Sequence, residues 1–383
     1  MYSSLMTAAS SLLLLLLSGA TPWRLRQGTL PSFTRALQLE TTSDASANVS
    51  IGDVNGDGTL DIVLVKGRHG PGMSRVLLGD GHGHFTTAYD LSKEPYHSYS
   101  GILVDVDRDG ALDVVLSNEG GGEKLIFLND GKGHFRIGST FGSPAWDTRN
   151  AAIADLNADG LPDIVVANRG DHATQYFCLN QGQGRFGATC QALADYSATT
   201  ITPADVNQDG KMDLVVPHRD GGQSYVYLNG GNASFSDARR VPFGSSNGTV
   251  RMAVAGDFDE DGLGDLVLID DEHKKVELCY GSKTGGFAPP TRLDSGQAPY
   301  ALTVADLNRD GHADIIVGYV ESPSAVFFGA GKPRQFTRVN FGDNKGAVYG
   351  FAVADLDGDK QLDIAAARSG APNMVYFGAV GRR

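Results

Sequence analysis

Carboxylates dominate the chemistry open to this chain, and they recur at a fixed spacing. The nine-residue pattern D-x-[DN]-x-D-x-x-x-D occurs seven times, beginning at Asp53, Asp105, Asp155, Asp205, Asp257, Asp306 and Asp355. Side chains at positions 1, 3, 5 and 9, with the carbonyl at position 7, can wrap oxygen ligands around a hard cation of calcium size. The predicted ligands in the first two loops are Asp53, Asn55, Asp57, Asp61, Asp105, Asp107, Asp109 and Asp113. The third and fourth loops offer Asp155, Asn157, Asp159, Asp163, Asp205, Asn207, Asp209 and Asp213. The last three offer Asp257, Asp259, Asp261, Asp265, Asp306, Asn308, Asp310, Asp314, Asp355, Asp357, Asp359 and Asp363. Without a cation these like charges repel, and the loops splay or protonate. The acidic cap falls at position 9 with a strand behind it, which separates the pattern from the EF-hand, whose Glu comes at position 12. An all-protein oxygen cage leaves no open position for a substrate, so up to seven structural calcium ions are expected rather than a catalytic metal. Gly at position 6 lets each loop turn, but the last loop has Lys360 there and is expected to bind more weakly or not at all.

A second set of chemically capable residues appears in register with these loops. Six positions before each first Asp stand Ala47, Tyr99, Arg149, Thr199, Arg251, Tyr300 and Tyr349. Nine positions before stand Asp44, Tyr96, Trp146, Tyr196, Gly248, Gln297 and Gly346, and five after each last Asp stand Lys66, Asn118, Asn168, His218, Asp270, Tyr319 and Arg368. Their surroundings are monotonous from repeat to repeat, whereas these columns vary and carry large polar or aromatic groups. Arg149, Arg251 and Arg368 suit a carboxylate, enolate or carbonyl oxygen. Tyr96, Tyr99, Trp146, Tyr196, Tyr300 and Tyr349 offer flat apolar faces with hydrogen-bonding edges. The expected ligand is a small, oxygen-bearing molecule, planar or ring-shaped. Should the site perform chemistry, Arg149, Arg251 and His218 are the electrostatic or acid–base candidates.

The elements that must position these residues follow from the periodicity. The loops lie 52, 50, 50, 52, 49 and 49 residues apart. Each is preceded by a short strand and followed by an apolar run such as DIVLV or DIVVA, which suits a strand buried on both faces. A third, alternating strand (KLIFLN, SYVYLN) and a Gly-rich turn lead to a Phe that opens a fourth. Four antiparallel strands per repeat of about 50 residues is the unit of a propeller blade. Phe85, Phe135, Phe186, Phe235, Phe287 and Phe336 mark six fourth strands. The seventh mark is Phe33, at the other end of the chain, 20 residues before Asp53. An all-β, seven-bladed propeller closed by its N-terminal strand is therefore predicted over residues 32–383, with no sheet edge left open and the chain expected to be monomeric. Antiparallel alternation then puts the acidic loops on one face of the disc and the three columns at a funnel on the other.

Residues 1–20 carry no charge and an apolar core over Leu12–Leu17, which reads as a secretory signal followed by a short linker at 21–31. The expected destination is outside the cell or the secretory lumen, with no membrane association once the signal is removed. The formal net charge of −13 is accounted for by bound divalent ions, and no basic tract for nucleic acid exists. Of three cysteines, Cys178 and Cys190 flank NQGQG and form the expected disulfide, leaving Cys279 as a buried small apolar residue. Sequons stand at Asn48, Asn232 and Asn247, of which Asn232 and Asn247 are the expected glycosylation sites. The segment GSSNG (Gly244–Gly248) matches a serine-hydrolase elbow, but it falls in a loop between strands with no helix behind it.

The seven in-register loops resemble FG-GAP or VCBS repeats, as in the integrin α-subunit propeller and some secreted fungal and bacterial propellers. The resemblance spans about residues 32–383 and implies the propeller fold. For function it implies several classes: adhesion modules, lectins, lyases of acidic polysaccharides and fungal hetero-Diels–Alderases. Three readings are carried forward. One is a calcium-stabilised propeller that binds a small molecule in a single funnel. Another is a metal-independent enzyme, a cyclase or lyase rather than a hydrolase, that uses that funnel. The third is a lectin or adhesion module. A multivalent lectin would repeat one constellation from blade to blade, and these columns do not repeat.

Overall fold

The computed structural model describes residues 30–170, 173–187, 190–329 and 331–380. The predicted signal and most of the predicted linker lie outside them. Strand β1 (Ser32–Gln38) comes first; blade 1 is β2 (Ser46–Gly52), β3 (Asp61–Lys66), β4 (Arg75–Leu78) and β5 (Thr87–Asp90). Blade 2 is β6 (Ser98–Val104), β7 (Asp113–Asn118), β8 (Lys124–Asn129) and β9 (Phe135–Phe141). Blade 3 is β10 (Thr148–Ala154), β11 (Asp163–Asn168), β12 (Gln175–Cys178) and β13 (Gln191–Ala194). Blade 4 is β14 (Thr202–Ala204), β15 (Asp213–Val216), β16 (Gly222–Tyr227) and β17 (Arg240–Gly248). Blade 5 is β18 (Met252–Gly256), β19 (Asp265–Asp270), β20 (Lys275–Cys279) and β21 (Thr291–Ser295). Blade 6 is β22 (Pro299–Ala305), β23 (Asp314–Tyr319), β24 (Ser324–Gly329) and β25 (Phe336–Phe341), and blade 7 is β26 (Ala347–Ala354), β27 (Asp363–Ser369) and β28 (Met374–Ala379). Each blade is a four-stranded antiparallel sheet in chain order, and blade 7 is completed as β26-β27-β28-β1.

Ring closure has a packing reason. Phe33 on β1 is 5% exposed and packs 5.4 Å from Phe341 of blade 6, within a cluster that also holds Ile364 and Tyr376 of blade 7. Burying one such side chain contributes roughly 2–3 kcal/mol, and backbone pairing of β1 with β28 removes the edge that an open array would expose.

The core is not one mass but a set of clusters between neighbouring blades. Val63, Val65 and Val76 of blade 1 pack on Leu103, Val114 and Leu116 of blade 2, for example. Because a blade is covered on both sides, β3, β7, β11, β19 and β23 are buried along their whole length. The third strand departs from the expected alternation for the same reason: β8 is buried at five of its six residues. Exposure passes to the outer fourth strand, as in β9. The marker phenylalanines also differ in detail. Phe135 and Phe336 begin their strands, whereas Phe85, Phe186, Phe235 and Phe287 precede theirs. They are turn anchors: Phe186 is buried in an interblade cluster, and Phe85, Phe235 and Phe287 pack against others.

Cys178 and Cys190 are bonded, and Cys279 is free and buried in a core cluster. Asn232 and Asn247 are exposed, while Asn48 lies at the central channel. GSSNG belongs to β17 rather than a loop, since Gly222 and Ser224 of β16 pair with Gly248 and Phe243. No helix among the described residues is long and apolar enough to cross a membrane.

Candidate functional site

The acidic loops join first to second strands on one face of the disc. In each, the position-1 carboxylate caps the turn: Asp53 Oδ1 accepts from Gly56 N at 2.7 Å and Oδ2 from Gly58 N at 2.8 Å. The position-9 carboxylate ties the loop to its own blade. Asp61 Oδ2 accepts from Val54 N and Oδ1 from Gly79 N, both at 2.9 Å, and the same pair of bonds recurs at Asp113, Asp163 and Asp213. Asp265, Asp314 and Asp363 repeat it. All seven of these residues are fully buried. Burial, reinforced by the neighbouring loop carboxylates, pushes Asp61 up to about 6 and Asp113 and Asp314 to about 7. At or just beyond the end of the third strand in blades 2, 3 and 4, an Asn amide reaches the preceding blade: Nδ2 of Asn129, Asn180 and Asn229 donates to the carbonyls of Val54, Val106 and Leu156 at 2.7, 2.9 and 2.8 Å.

The donor set fits a divalent cation. Carboxylate oxygens of Asp105, Asp107 and Asp113 lie within 4.8 Å of one another, as do those of Asp257, Asp259 and Asp265 and those of Asp355, Asp357 and Asp359. Asp257 Oδ1 and Asp259 Oδ1 are buried with no hydrogen-bond partner, which is the satisfaction a cation would supply. Two of the extra position-3 carboxylates are also met by arginine: Arg334 Nε and Nη2 donate to Asp259 Oδ2 at 2.9 and 2.8 Å, and Arg35 pairs with Asp357 at 2.9 Å. Lys360 keeps the glycine turn at the expense of strain. Its φ is 73°, and its N–H still donates to Asp355 Oδ2 at 2.9 Å.

At the opposite face, five strands share one irregularity. The register of first against second strand skips between Ser46 and Asn48, Ser98 and Ser100, Thr148 and Asn150, Pro299 and Ala301, and Val348 and Gly350. The skipped residues are Ala47, Tyr99, Arg149, Tyr300 and Tyr349, so the column six places before each loop is a column of β-bulges. A bulged residue leaves the ladder and is re-aimed. In blades 4 and 5 the equivalent Thr199 and Arg251 precede β14 and β18.

The bulged residues interlock around the mouth. Arg149 lies 4.2 Å over the Tyr99 ring and pairs with Glu119 at 2.7 Å. Tyr99 Oη is 2.8 Å from His69 Nδ1. Arg251 lies 4.1 Å over Tyr300 and 5.5 Å over Tyr349, with the two tyrosines edge to face at 5.2 Å. Arg68 covers Tyr349 at 3.8 Å, and Arg219 holds Asp271 at 2.9 Å beside Arg251. Burial, and then the charges of Arg68 and Arg149, keep the His69 pKa below its ordinary value, so this ring is neutral at pH 7. Below the mouth the first strands enclose a central channel of about 450 Å³.

Of the predicted ligand-binding residues, Tyr99, Arg149, Arg251, Tyr300 and Tyr349 come together here. The rest do not join them. Arg368, 2% exposed, is bound to Asp343 and the Lys345 carbonyl. Trp146 stacks on Tyr176 at 4.1 Å, Tyr196 packs at a tilt against His218 at 4.6 Å, and Tyr96 packs on the core between blades 1 and 2. In the column of Arg368, Lys66, Asn118, Asn168, Asp270 and Tyr319 are likewise buried, each pairing with polar partners around its own strand end.

Arg68, His69, Glu119, Arg219 and Asp271 were not singled out from the sequence. Most stand one residue beyond that column, and in a strand a one-residue step reverses the direction of the side chain. The signal was present in the alternation itself: a column that serves the blade interior implies that its neighbour serves the mouth.

The profile of the FG-GAP-like repeat matches residues 53–116, 105–166, 155–216, 205–268, 257–317 and 310–366. The chain is similar to integrin alpha-7 of Homo sapiens, 30% identical over 147 residues, which covers 33% of this chain and 12% of the integrin. Integrin alpha-4 of Xenopus laevis is 27% identical over 164 residues, covering 37% and 16% respectively. The matched region is thus under a fifth of the length of either relative. Among solved structures, an Agrocybe aegerita lectin described as recognising non-reducing terminal N-acetylglucosamine aligns with a TM-score of 0.57 at 21% identity, covering 86% of this chain and 87% of its own. A chain of the crystal structure of BBS1N in complex with ARL6DN aligns with a TM-score of 0.60 at 12% identity, covering 91% of this chain and 96% of its own. Both likenesses are of fold.

Proposed function

Because this chain belongs to the FG-GAP-like repeat family, we propose that it is a secreted, calcium-stabilised binding propeller. Its ligand is a small oxygen-bearing molecule, planar or ring-shaped, taken at the single mouth opposite the acidic loops. The observation that carries this reading is the ring of bulged residues. Five blades each break their own ladder at the same place, and three of the five residues so displaced are tyrosines. A bulge leaves its residue out of the ladder and re-aims the side chain, here toward the mouth. Hydrogen-bonding capacity is left over there: Arg68 Nε, Arg149 Nε, Arg219 Nε, Thr199 Oγ1 and Asp271 Oδ1 are buried without partners. Secretion is supported by the Cys178–Cys190 disulfide together with the N-terminal reading.

Glycan recognition is the second reading, favoured by the fold shared with the N-acetylglucosamine-binding lectin. The dissimilarity of the blades at the mouth argues for one site over several. A metal-independent cyclase or lyase would use the same residues, with Arg149 and Arg251 stabilising a developing oxyanion and the neutral His69, bonded to Tyr99, moving a proton. The deciding experiment compares wild type with Arg149→Ala/Arg251→Ala at equal thermal stability, by glycan-array binding and by ligand-observed NMR against an aromatic-acid and sugar library. Loss of binding in the double variant is expected; unchanged binding overturns the mouth as the site.

A further inference from the structure

The mouth and the channel beneath it differ in chemistry. Around the mouth, the guanidinium groups of Arg68, Arg149, Arg169, Arg219 and Arg251 come together, and among the described residues their ion pairs are with Glu119, Asp220 and Asp271. Five guanidinium groups gathered at one point stand out in a chain whose formal net charge is −13. Arg219 is 8% exposed, and its Nε has no partner. A buried guanidinium with unspent donors calls for an anionic acceptor.

Deeper in the channel the lining becomes apolar, with Ile102, Ala152, Val254, Val304, Val353 and Leu362. Two hydroxyls at this depth are already committed to the neighbouring blade: Ser50 Oγ donates to the Gly101 carbonyl at 2.7 Å and Thr202 Oγ1 to the Ala253 carbonyl at 2.8 Å. Thr303 also stands at this depth, and nearer the mouth Asn48, whose Oδ1 is buried without a partner, and Asn150 line the wall. Below these the channel offers mostly apolar side chains, and a polar stem would recover little of the hydration it sheds. The volume of about 450 Å³ lies in the range of small-molecule sites.

We propose that the ligand is an amphiphilic acid, with its carboxylate held among Arg149, Arg219 and Arg251 and its apolar part descending into the channel. This deepens the mouth reading and rests on it. The tyrosine rings at the rim then flank the junction between head and stem, where a side chain with an apolar face and a wet edge is suited. The acid is bound as the anion; no covalent step is involved.

Titration calorimetry on the calcium-loaded protein tests this with benzoate, hexanoate, octanoate, decanoate and decan-1-ol, each at micromolar concentration. Affinity is expected to rise about fourfold for each methylene, or roughly 200-fold from hexanoate to decanoate. Decan-1-ol should bind at least tenfold more weakly than decanoate. Ala152→Met narrows the channel and should weaken decanoate while leaving benzoate unchanged, with its unfolding midpoint confirming an intact fold.

If benzoate and hexanoate bind through Arg149 and Arg251 but decanoate is no tighter, the apolar channel is overturned and the mouth survives. Equal binding of decan-1-ol and decanoate overturns the anionic head. Should none of the acids bind, the amphiphile is overturned; the mouth itself then stands or falls on the Arg149→Ala/Arg251→Ala comparison above.

Discussion

Lys66 is held at the closing seam with its Nζ 2.7 Å from both Glu40 Oε1 and Asp44 Oδ2. Glu40 also accepts from Arg75 at 3.1 Å and from Asn373 at 2.9 Å, so one buried carboxylate joins the segment after β1 to blades 1 and 7. Removing one partner of such a pair strands the other. Glu40→Ala is therefore expected to reduce unfolding free energy by about 3–5 kcal/mol in equilibrium denaturation, and Glu40→Leu/Lys66→Met to recover most of it. The sequence shows Lys66 as a polar residue in a variable column, and so it does Arg368; nothing in one residue's type tells a lock from a ligand contact. What decides is the partner, and Glu40 and Asp343 lie elsewhere in the chain.

The position-9 aspartates give a second expectation at this scale. Their folded pKa values lie above the ordinary 3.8, at about 6 for Asp61, Asp163, Asp213, Asp265 and Asp363 and about 7 for Asp113 and Asp314. The folded state thus binds these protons more tightly than the unfolded one, and stability is lost as pH rises through the folded pKa. Chelator-treated protein should melt at a higher temperature at pH 5 than at pH 7.5. With excess calcium the order should reverse, because the cation requires the carboxylates ionised. Thermal scans at the two pH values, with and without calcium, check both signs.

Among the elements, turns and strands divide the labour. Lys360 sits at φ 73° where six sister loops have Gly. Lys360→Gly should raise stability by about 1 kcal/mol, read as an increased unfolding midpoint, since glycine adopts this region without strain. The Asn129 amide bonds both the Val54 and Leu112 carbonyls, linking blade 2 to blade 1. Asn129→Ala should lower stability by about 1–3 kcal/mol in the same assay, because buried carbonyls lose their donors. Strand positions were legible because apolar runs and loops repeat at a constant interval. The bulges were not: a bulge is a register event between two strands, and Arg149 looks the same in sequence whether or not Asn168 and Ala167 pair around it. The column six places before each loop coincides with the bulged positions, but the sequence carried no mark of the step that separates it from its buried companions.

As a whole the molecule is a ring, and its closure and the proposed metal loading are expected to act together. Acidic loops also contact the turn of the following blade, as where Gly83 N donates to the Leu356 carbonyl and Ala233 N to the Leu156 carbonyl, so ordering one of these loops is expected to steady its neighbour. Calcium at a hundred times its dissociation constant is expected to contribute about 2.7 kcal/mol per occupied site. Chelation should therefore lower the melting temperature steeply, and titrating calcium back should restore it. Deleting residues 32–38 removes β1 and leaves β28 as an open edge. That variant should lose cooperative unfolding and elute as larger species in size-exclusion chromatography. Closure was readable from the chain because a displaced Phe has no use in an open array; the identity of the ligand was not, because the arginines gathered at the mouth come from four different blades.

Residues that bulge out of a ladder contribute no hydrogen bonds to it. Tyr99, Arg149, Tyr300 and Tyr349 can thus be exchanged while the pairs on either side of them remain closed. Under the proposed function, selectivity is free to drift, or to be redesigned, without breaking a hydrogen bond of the ladders.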